Sequence, residues 1–179
     1  ATGARSRNLP FVSSDGLNIW DYKTAMTPPK LPSSLIIVGS GAIGMEFASF
    51  YNDLGVDVTI IESLPSILPN EDSDISKIVR SSFEKRGIEI KTNATLKAVT
   101  SKTNSISAEI NINGKVEAIK SEKLILAIGI IANTEKLGLE NFKIKIDKGH
   151  IVTNEFLETG ENGVYAIGDV TKGPWLAHK

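Results

Sequence analysis

The chain has 179 residues, of which 41% are hydrophobic and 23% are charged, and its formal net charge is −1. This is the composition of a globular protein, and the charge balance argues against nucleic acid or a membrane surface as a main partner. The sequence has no cysteine, and its two histidines, His150 and His178, lie far apart, so we expect neither disulfides nor a metal site. No apolar run is long enough to cross a membrane and no signal peptide is visible, and we therefore expect a cytoplasmic location.

The first 33 residues show little periodicity and indicate a connecting segment. Trp20, Asp21 and Tyr22 predict a short strand or turn, with Asp21 as a candidate cap for a helical turn over residues 22–25. The proline-rich stretch 28–32 indicates a stiff linker.

The strongest motif follows from residue 35. An apolar run at residues 35–38 leads into Gly-x-Gly-x-x-Gly at Gly39, Gly41 and Gly44, and a helix-compatible segment continues to about residue 54. A second apolar run, 58–61, ends at Glu62. This order of strand, glycine turn, helix, strand and acid predicts a dinucleotide-binding βαβ unit. An ordinary strand–helix turn with chance glycines is the weaker alternative, because all parts of the motif agree.

Each residue of this motif has a physical role in the prediction. Gly39 permits the tight turn, Gly41 leaves room for a pyrophosphate, and Gly44 allows close packing of helix and strand at the phosphate-binding helix N-terminus. Glu62 would accept hydrogen bonds from the adenosine ribose, although a carboxylate at a strand end is often merely solvated. It would repel a 2′-phosphate, and no Arg or Lys follows at residues 63–66, so the motif favours NAD over NADP.

The middle of the chain predicts a helix followed by four strands. The helix runs from about residue 71 to 86, with Ile75, Ile78, Val79 and Phe83 on one face, and ends at Gly87. A third parallel strand is expected at residues 88–90. Alternating residues at 95–100, 105–112 and 115–119 then predict three antiparallel strands, with a hairpin turn at residues 113–114.

The last third of the chain predicts one buried strand and several short elements. The continuous apolar run 124–129 is typical of a central parallel strand, and Gly129 either lets a ligand approach or simply ends that strand. A polar loop with a helical turn is expected at 133–141, a strand pair at 144–146 and 150–153, and a further strand at 163–169. The fold class is therefore α/β, with a Rossmann-like parallel sheet, crossover helices and a three-stranded antiparallel β-meander.

Four stretches give the chain a resemblance to a known family. These are residues 1–3 (Ala-Thr-Gly), the glycine turn with Glu46, residues 124–129 with 133–139, and residues 164–169 with 173–179. Together they resemble the FAD-dependent pyridine nucleotide–disulfide oxidoreductases. Gly-Pro-x-Leu-Ala-His-Lys at 173–179 is similar to the dihydrolipoamide dehydrogenase branch. Two departures from the family pattern stand out. Residues 129–133 lack its arginine and proline, and Trp175 replaces a methionine; for Trp175 we expect packing instead of stacking on a flavin.

The resemblance implies roles for individual residues. Glu62 would bind the adenosine ribose, Leu96 would border the adenine, and Gly129 would approach the nicotinamide. Glu46 would lie toward the nicotinamide end, or be an acid in the first helical turn that the helix dipole stabilises, or have both roles. Two residues, Asp169 and Ala177, would contact FAD in the intact protein. The NAD phosphates would be held by the turn residues Gly39, Ser40, Gly41, Ala42, Ile43 and Gly44.

The resemblance also implies a division of labour within a longer protein. Residues 1–33 would be a remnant of an FAD domain with a linker, 34–153 the NAD-binding domain, and 154–179 the return to the FAD domain. The redox-active cysteine pair and the catalytic His–Glu pair of the family are absent from this sequence, so we assign no catalytic residue and expect this chain alone to be inactive.

The intact protein would oxidise protein-bound dihydrolipoamide and reduce NAD through FAD. Its partners would be lipoyl domains of 2-oxoacid dehydrogenase complexes, and it would dimerise through a C-terminal domain. The alternatives are another disulfide reductase or NADH oxidase of the same family, and a stand-alone NAD-binding module without catalysis.

Overall fold

The computed structural model describes residues 1–176 and divides the chain into two compact units. One unit comprises residues 6–129, and the other comprises residues 1–5 with the residues from 130 onward. The strands are β1 (Ala4–Ser6), β2 (Ile19–Trp20), β3 (Ser34–Val38), β4 (Asp57–Ile61), β5 (Glu89–Lys91), β6 (Ala94–Lys102), β7 (Ser105–Ile112), β8 (Lys115–Ser121), β9 (Lys123–Leu126), β10 (Ile130–Ala132), β11 (Ile146–Asp147) and β12 (His150–Ile151). The helices are α1 (Tyr22–Met26), α2 (Ala42–Asp53) and α3 (Ser73–Lys85), with 3₁₀ turns at Leu139–Asn141 and Gly168–Val170.

The unit of residues 6–129 is built on a five-stranded parallel sheet in the order β2-β9-β3-β4-β5. The first crossover, through α2, takes the chain from β3 to β4, and the second, through α3, takes it on to β5. The chain then returns to β9 on the opposite side of β3. The order of the strands therefore reverses between β3 and β9.

Both faces of this sheet are covered, which explains its continuous apolar strands. Leu35 and Ile37 of β3 pack with α1 and α2 in one cluster, and Val79 and Phe83 of α3 are partly buried against it. Ile36 and Val38 face the other way, toward the antiparallel sheet β6-β7-β8. The predicted α/β class, with its parallel sheet and β-meander, is confirmed.

Local signals set several boundaries as predicted. Asp21 caps α1 by accepting a hydrogen bond from the Thr24 N–H at 3.0 Å. Gly87 follows the end of α3 with φ +90°. The β7–β8 hairpin turns at Asn113 and Gly114, both with positive φ, which is the type I′ geometry that this pair favours.

The predicted apolar face of α3 is only half right. Val79 and Phe83 pack against the core, but Ile75 and Ile78 are exposed. The buried face is centred instead on Ser76, whose hydroxyl donates to backbone carbonyls. A small polar residue can be buried when its hydrogen bond is made internally, and apolarity alone does not reveal this.

The second unit has short elements and a small core. β1 pairs with β10, β11 pairs with β12, and the cluster consists of Ala132, Ile151, Ala166 and Val170. The predicted strand at 163–169 is wrong: within residues 1–176 that stretch forms one isolated bridge, Tyr165 to Glu158, before a 3₁₀ turn. Its apolar residues suit a strand, but only Ala166 among residues 163–169 is buried.

Candidate functional site

The glycine turn between β3 and α2 depends on two positions that exclude a side chain. Gly39 has φ +103°, and a Cβ there would collide with the carbonyl group of Ala127, the residue after β9. A Cβ on Gly44 would collide with the carbonyl oxygen of Gly39. These two glycines therefore serve packing, as the sequence predicted for the tight turn and the close approach of helix and strand.

Gly41 is different, because open space lies where its side chain would be. It is the N-cap of α2 and offers no side chain to the helix. The first intrahelical bond of this turn runs from the Met45 N–H to the Gly41 carbonyl. The N–H groups of Ala42, Ile43 and Gly44 precede that bond, so they are the donors that a helix N-terminus offers to an anion.

Glu62 follows the last residue of β4 and is almost fully buried. Its Oε2 accepts from the N–H of Ser40 at 2.9 Å and from the Ser40 hydroxyl at 2.6 Å. Its Oε1 accepts from the Leu64 N–H at 2.8 Å and from the Ser63 hydroxyl at 3.2 Å. The carboxylate is therefore held in place from two directions, by Ser40 after β3 and by Ser63 and Leu64 after β4.

A cavity of about 410 Å³ opens at the carboxyl ends of β3, β4 and β9. The reversal of strand order between β3 and β9 makes this the position at which open α/β sheets bind ligands. The cavity is lined by Leu9, Val38, Gly39, Ser40, Gly41, Ile61, Glu62, Ser63, Ala94, Thr95, Leu96, Ala127, Ile128 and Gly129.

Six of the predicted site residues meet at this cavity: Gly39, Ser40, Gly41, Glu62, Leu96 and Gly129. Leu96 of β6 is buried, and Gly129 has φ +99° with open space at its Cβ position. The open space at Gly129 favours the approach of a ligand, one of the two roles that the sequence left open.

The remaining predicted residues on α2 are not part of the cavity lining. Ala42 is exposed, Gly44 is buried beneath the turn, and Ile43 packs against the core. Glu46 is exposed and lies beyond the first turn of α2, which holds no acid. The alternative of Glu46 as a first-turn acid is therefore wrong.

The predicted FAD contacts fall in the second unit. Asp169 is exposed in the 3₁₀ turn, and Ala177 lies outside the described residues. The indole N–H of Trp175 donates to the Thr171 carbonyl at 3.0 Å, and its ring lies 5.1 Å from the ring of His150. Trp175 thus packs within its own unit.

Sequence reasoning missed Ser63 and Leu9 as lining residues, and it missed both hydrogen bonds between Ser40 and Glu62. The hydrogen bonds between Ser40 and Glu62 could be found from the register of β3 and β4. β3 and β4 are parallel with Val38 opposite Ile61, so the residues after each strand are neighbours. That register depends on the pairing of the strands, which the sequence does not state.

Within residues 1–176, no group of three or more His, Asp or Glu side chains is arranged to hold a metal ion. The same described part of the chain contains no helix with the length and apolarity needed to span a membrane.

Comparison with known proteins gives consistent matches. The sequence matches the family described as pyridine nucleotide-disulphide oxidoreductase over residues 1–179. It is 48% identical to a dihydrolipoyl dehydrogenase of Zymomonas mobilis, over 100% of this chain and 39% of the relative. The chain therefore spans about two fifths of the length of this curated relative.

Solved structures show the same fold. LpdA of Mycobacterium tuberculosis superposes with a TM-score of 0.88 at 33% identity, covering 99% of this chain and 38% of LpdA. The HOCl-induced flavoprotein disulfide reductase RclA of Escherichia coli gives a TM-score of 0.86 at 28% identity, over 99% of this chain and 40% of RclA.

Proposed function

The chain belongs to the pyridine nucleotide-disulphide oxidoreductase family, and from that premise we propose that its residues 6–129 bind NAD(H). The observation that carries this proposal is the cavity at the carboxyl ends of the parallel strands. It combines an open glycine at a helix N-terminus with a fixed carboxylate at the end of the next strand. Phosphate and ribose diol are the two groups that such a pair of features recognises.

The residues present fit the cofactor. The pyrophosphate occupies the open space at Gly41 and accepts from the N–H groups of Ala42 and Ile43. Glu62 accepts from the ribose, and its charge disfavours the 2′-phosphate of NADP. Leu96 supplies an apolar wall for the adenine. Gly129 and, farther along α2, Glu46 are assigned to the nicotinamide end.

For the intact protein we propose the activity of a dihydrolipoyl dehydrogenase. FAD, when bound, would carry electrons from the oxidation of dihydrolipoamide to NAD. In the proposed division of the intact protein, residues 1–33 lead out of the FAD domain, 154–179 return to it with Asp169 and Ala177 on FAD, and 34–153 form the NAD-binding domain. Residues 6–33 pack with the NAD-binding unit, because β2 joins its sheet and Leu9 lines its cavity. The assignment of 154–179 is supported by the exposed apolar side chains of Phe156, Tyr165 and Ile167, which a further domain would cover.

The remaining proposals follow from this assignment. Lipoyl domains of 2-oxoacid dehydrogenase complexes are the proposed partners, a C-terminal domain the proposed dimer interface, and the cytoplasm the proposed location. The chain alone should produce no NADH from dihydrolipoamide, even with added FAD. An assay of the purified chain checks this, and measurable turnover would contradict it.

Replacing Glu62 with Gln tests the cofactor assignment. The amide keeps the size of the side chain but removes the charge that repels a 2′-phosphate. We expect the ratio of NADPH to NADH dissociation constants, measured by NADH fluorescence titration, to fall by about tenfold, a free-energy change of about 1.4 kcal/mol.

The matched control is Glu155→Gln, which removes a charge from an exposed residue outside the cavity. It should leave the ratio unchanged. Absence of binding at millimolar NADH, or equal ratios for Glu62→Gln and the unmodified chain, would contradict the proposal.

A further inference from the structure

The carboxylate of Glu62 already accepts four hydrogen bonds from the protein itself. A carboxylate has about four lone-pair positions, so a ribose hydroxyl has to replace or share one of the existing donors. The four donors are the N–H and hydroxyl of Ser40, the N–H of Leu64 and the hydroxyl of Ser63.

The two carboxylate oxygens of Glu62 are not equivalent. Oε2 is held by Ser40, which is fully buried and places both of its donors on this one atom. The 2.6 Å distance from the Ser40 hydroxyl is typical of a strong, charge-assisted bond. Because both donors of Ser40 are engaged, this residue is not available to a phosphate in the way that the sequence suggested.

One of the two donors to Oε1, the Ser63 hydroxyl, makes a weak hydrogen bond. The Leu64 N–H is fixed by the backbone, but Ser63 is an exposed residue that lines the cavity, and its hydroxyl lies 3.2 Å from Oε1. That distance is long for an O–H···O bond, so this donor is the least costly one to replace.

We propose that Ser40 is a positioning residue that fixes Glu62, and that the adenosine ribose replaces the Ser63 hydroxyl on Oε1. This inference rests on the proposed NAD(H) site. Ser40 keeps Oε2 turned toward the protein, so that Oε1 and the negative charge face the ribose. Selection of NADH over NADPH then depends on a residue whose donors are directed to Glu62 and not to the cofactor.

Two serine variants have opposite expected effects. Ser40→Ala frees one side of the carboxylate, and we expect NADH affinity to fall about tenfold and the NADPH-to-NADH ratio of dissociation constants to fall by a similar factor. Ser63→Ala removes the donor that competes with the ribose, and we expect NADH to bind about threefold more tightly.

A third serine provides the matched control. Ser121 is buried, and its hydroxyl donates to the Lys123 carbonyl at 2.7 Å, before the start of the buried part of β9 and outside the cavity lining. Ser121→Ala should alter neither dissociation constant. Urea unfolding of all three variants checks that each is folded under the conditions of the titration.

The decisive experiment combines Ser40→Ala with Glu62→Gln in a double-mutant cycle, using NADH and NADPH titrations of the full chain. If Ser40 acts through the charge of Glu62, Ser40→Ala changes the ratio about tenfold beside Glu62 and less than about twofold beside Gln. A purely structural effect would lower affinity for both cofactors and leave the ratio unchanged.

The outcomes separate this inference from the function beneath it. No NADH binding by the unmodified chain overturns both. NADH binding with a ratio that responds to Glu62→Gln but not to Ser40→Ala overturns the positioning role alone. Weaker NADH binding by Ser63→Ala overturns the displacement of its hydroxyl.

Discussion

The two units of the chain differ in how they bury their apolar residues. In residues 6–129, two extensive clusters cover both faces of a parallel sheet, and Ile37 is fully buried. In the other unit, over its described residues up to 176, the buried cluster has four residues, while Phe156 and Ile167 are more than half exposed. A binding site needs fixed geometry, and only the first unit has a core large enough to fix a turn, a helix and a carboxylate together.

The largest loss of stability is expected at the glycine turn of the first unit. Gly44→Ala would drive a Cβ into the Gly39 carbonyl, and backbone on both sides would have to move. We expect the free energy of unfolding in urea to fall by about 4 kcal/mol or more, the range of severe core defects. The matched change Gly163→Ala, in the second unit, meets open space but has positive φ, and its cost should be about 1 kcal/mol. Similar losses for both variants would contradict the role of Gly44.

Two isoleucines, one buried in the first unit and one half-exposed in the second, test the contrast between the cores directly. Ile37→Ala should cost about 3 kcal/mol, because it leaves a cavity between sheet and helices. Ile167→Ala, at a half-exposed position, should cost no more than about 0.5 kcal/mol. The two tryptophans separate the signals, since Trp20 is buried in the first unit and Trp175 lies in the second. Urea unfolding of Ile37→Ala is therefore followed through Trp20 in a Trp175→Phe background, and that of Ile167→Ala through Trp175 in a Trp20→Phe background. An equal cost for the two isoleucines would remove the contrast between the units.

Gly41 separates binding from stability within the first unit. Gly41→Asp places a good N-cap on α2, so the free energy of unfolding should stay constant or rise by about 0.5 kcal/mol. The same carboxylate occupies the phosphate donors and repels the pyrophosphate, so NADH affinity should fall at least about tenfold, or about 1.4 kcal/mol.

The control for that variant is Ser73→Asp, which adds a charge to the first turn of α3, away from the cavity lining. It should leave the NADH dissociation constant unchanged. Retained NADH affinity in Gly41→Asp would show that the cofactor does not use this helix N-terminus.

The smallest expected effect concerns Tyr51, whose hydroxyl donates to the Ala25 carbonyl at 2.6 Å inside the first core. Tyr51→Phe should cost about 1 kcal/mol at neutral pH, because the carbonyl loses its partner. Burial raises the pKa of Tyr51 to about 12, above its unfolded value near 10, so its contribution is present below about pH 10 and is lost as the pH rises toward 12.

Stability measured from pH 9 to 12 checks this dependence. The loss of stability over that interval should be smaller in Tyr51→Phe than in the unmodified chain. Tyr165→Phe, at an exposed tyrosine of the second unit, should follow the unmodified chain. Identical alkaline profiles for all three proteins would contradict the buried state of Tyr51.

The sequence predicted the elements whose causes are local. The glycine turn, the Asp21 cap, the hairpin at Asn113 and the alternation of the β-meander each follow from nearby residues. Predictions from the sequence were wrong where burial depends on a distant partner. Ile75 and Ile78 are exposed, and the stretch 163–169 does not form a strand.

The same limit applied at the cavity. Gly41 and Glu62 were predictable from spacing, but the link between Ser40 and Glu62 joins residues 22 positions apart through the register of two strands. Spacing motifs identify which residues have a role, while the hydrogen bonds that orient them depend on tertiary pairing.

The cavity of residues 6–129 is proposed to bind NAD(H). A titration of the ¹⁵N-labelled chain with NAD⁺, followed by the backbone amide shifts, tests this proposal most directly because it locates the contact. We expect saturable shifts at Gly41, Ala42, Ser63 and Gly129, with residues 140–160 of the second unit unaffected. Shifts that are absent at millimolar NAD⁺, or that centre on the second unit, would contradict it.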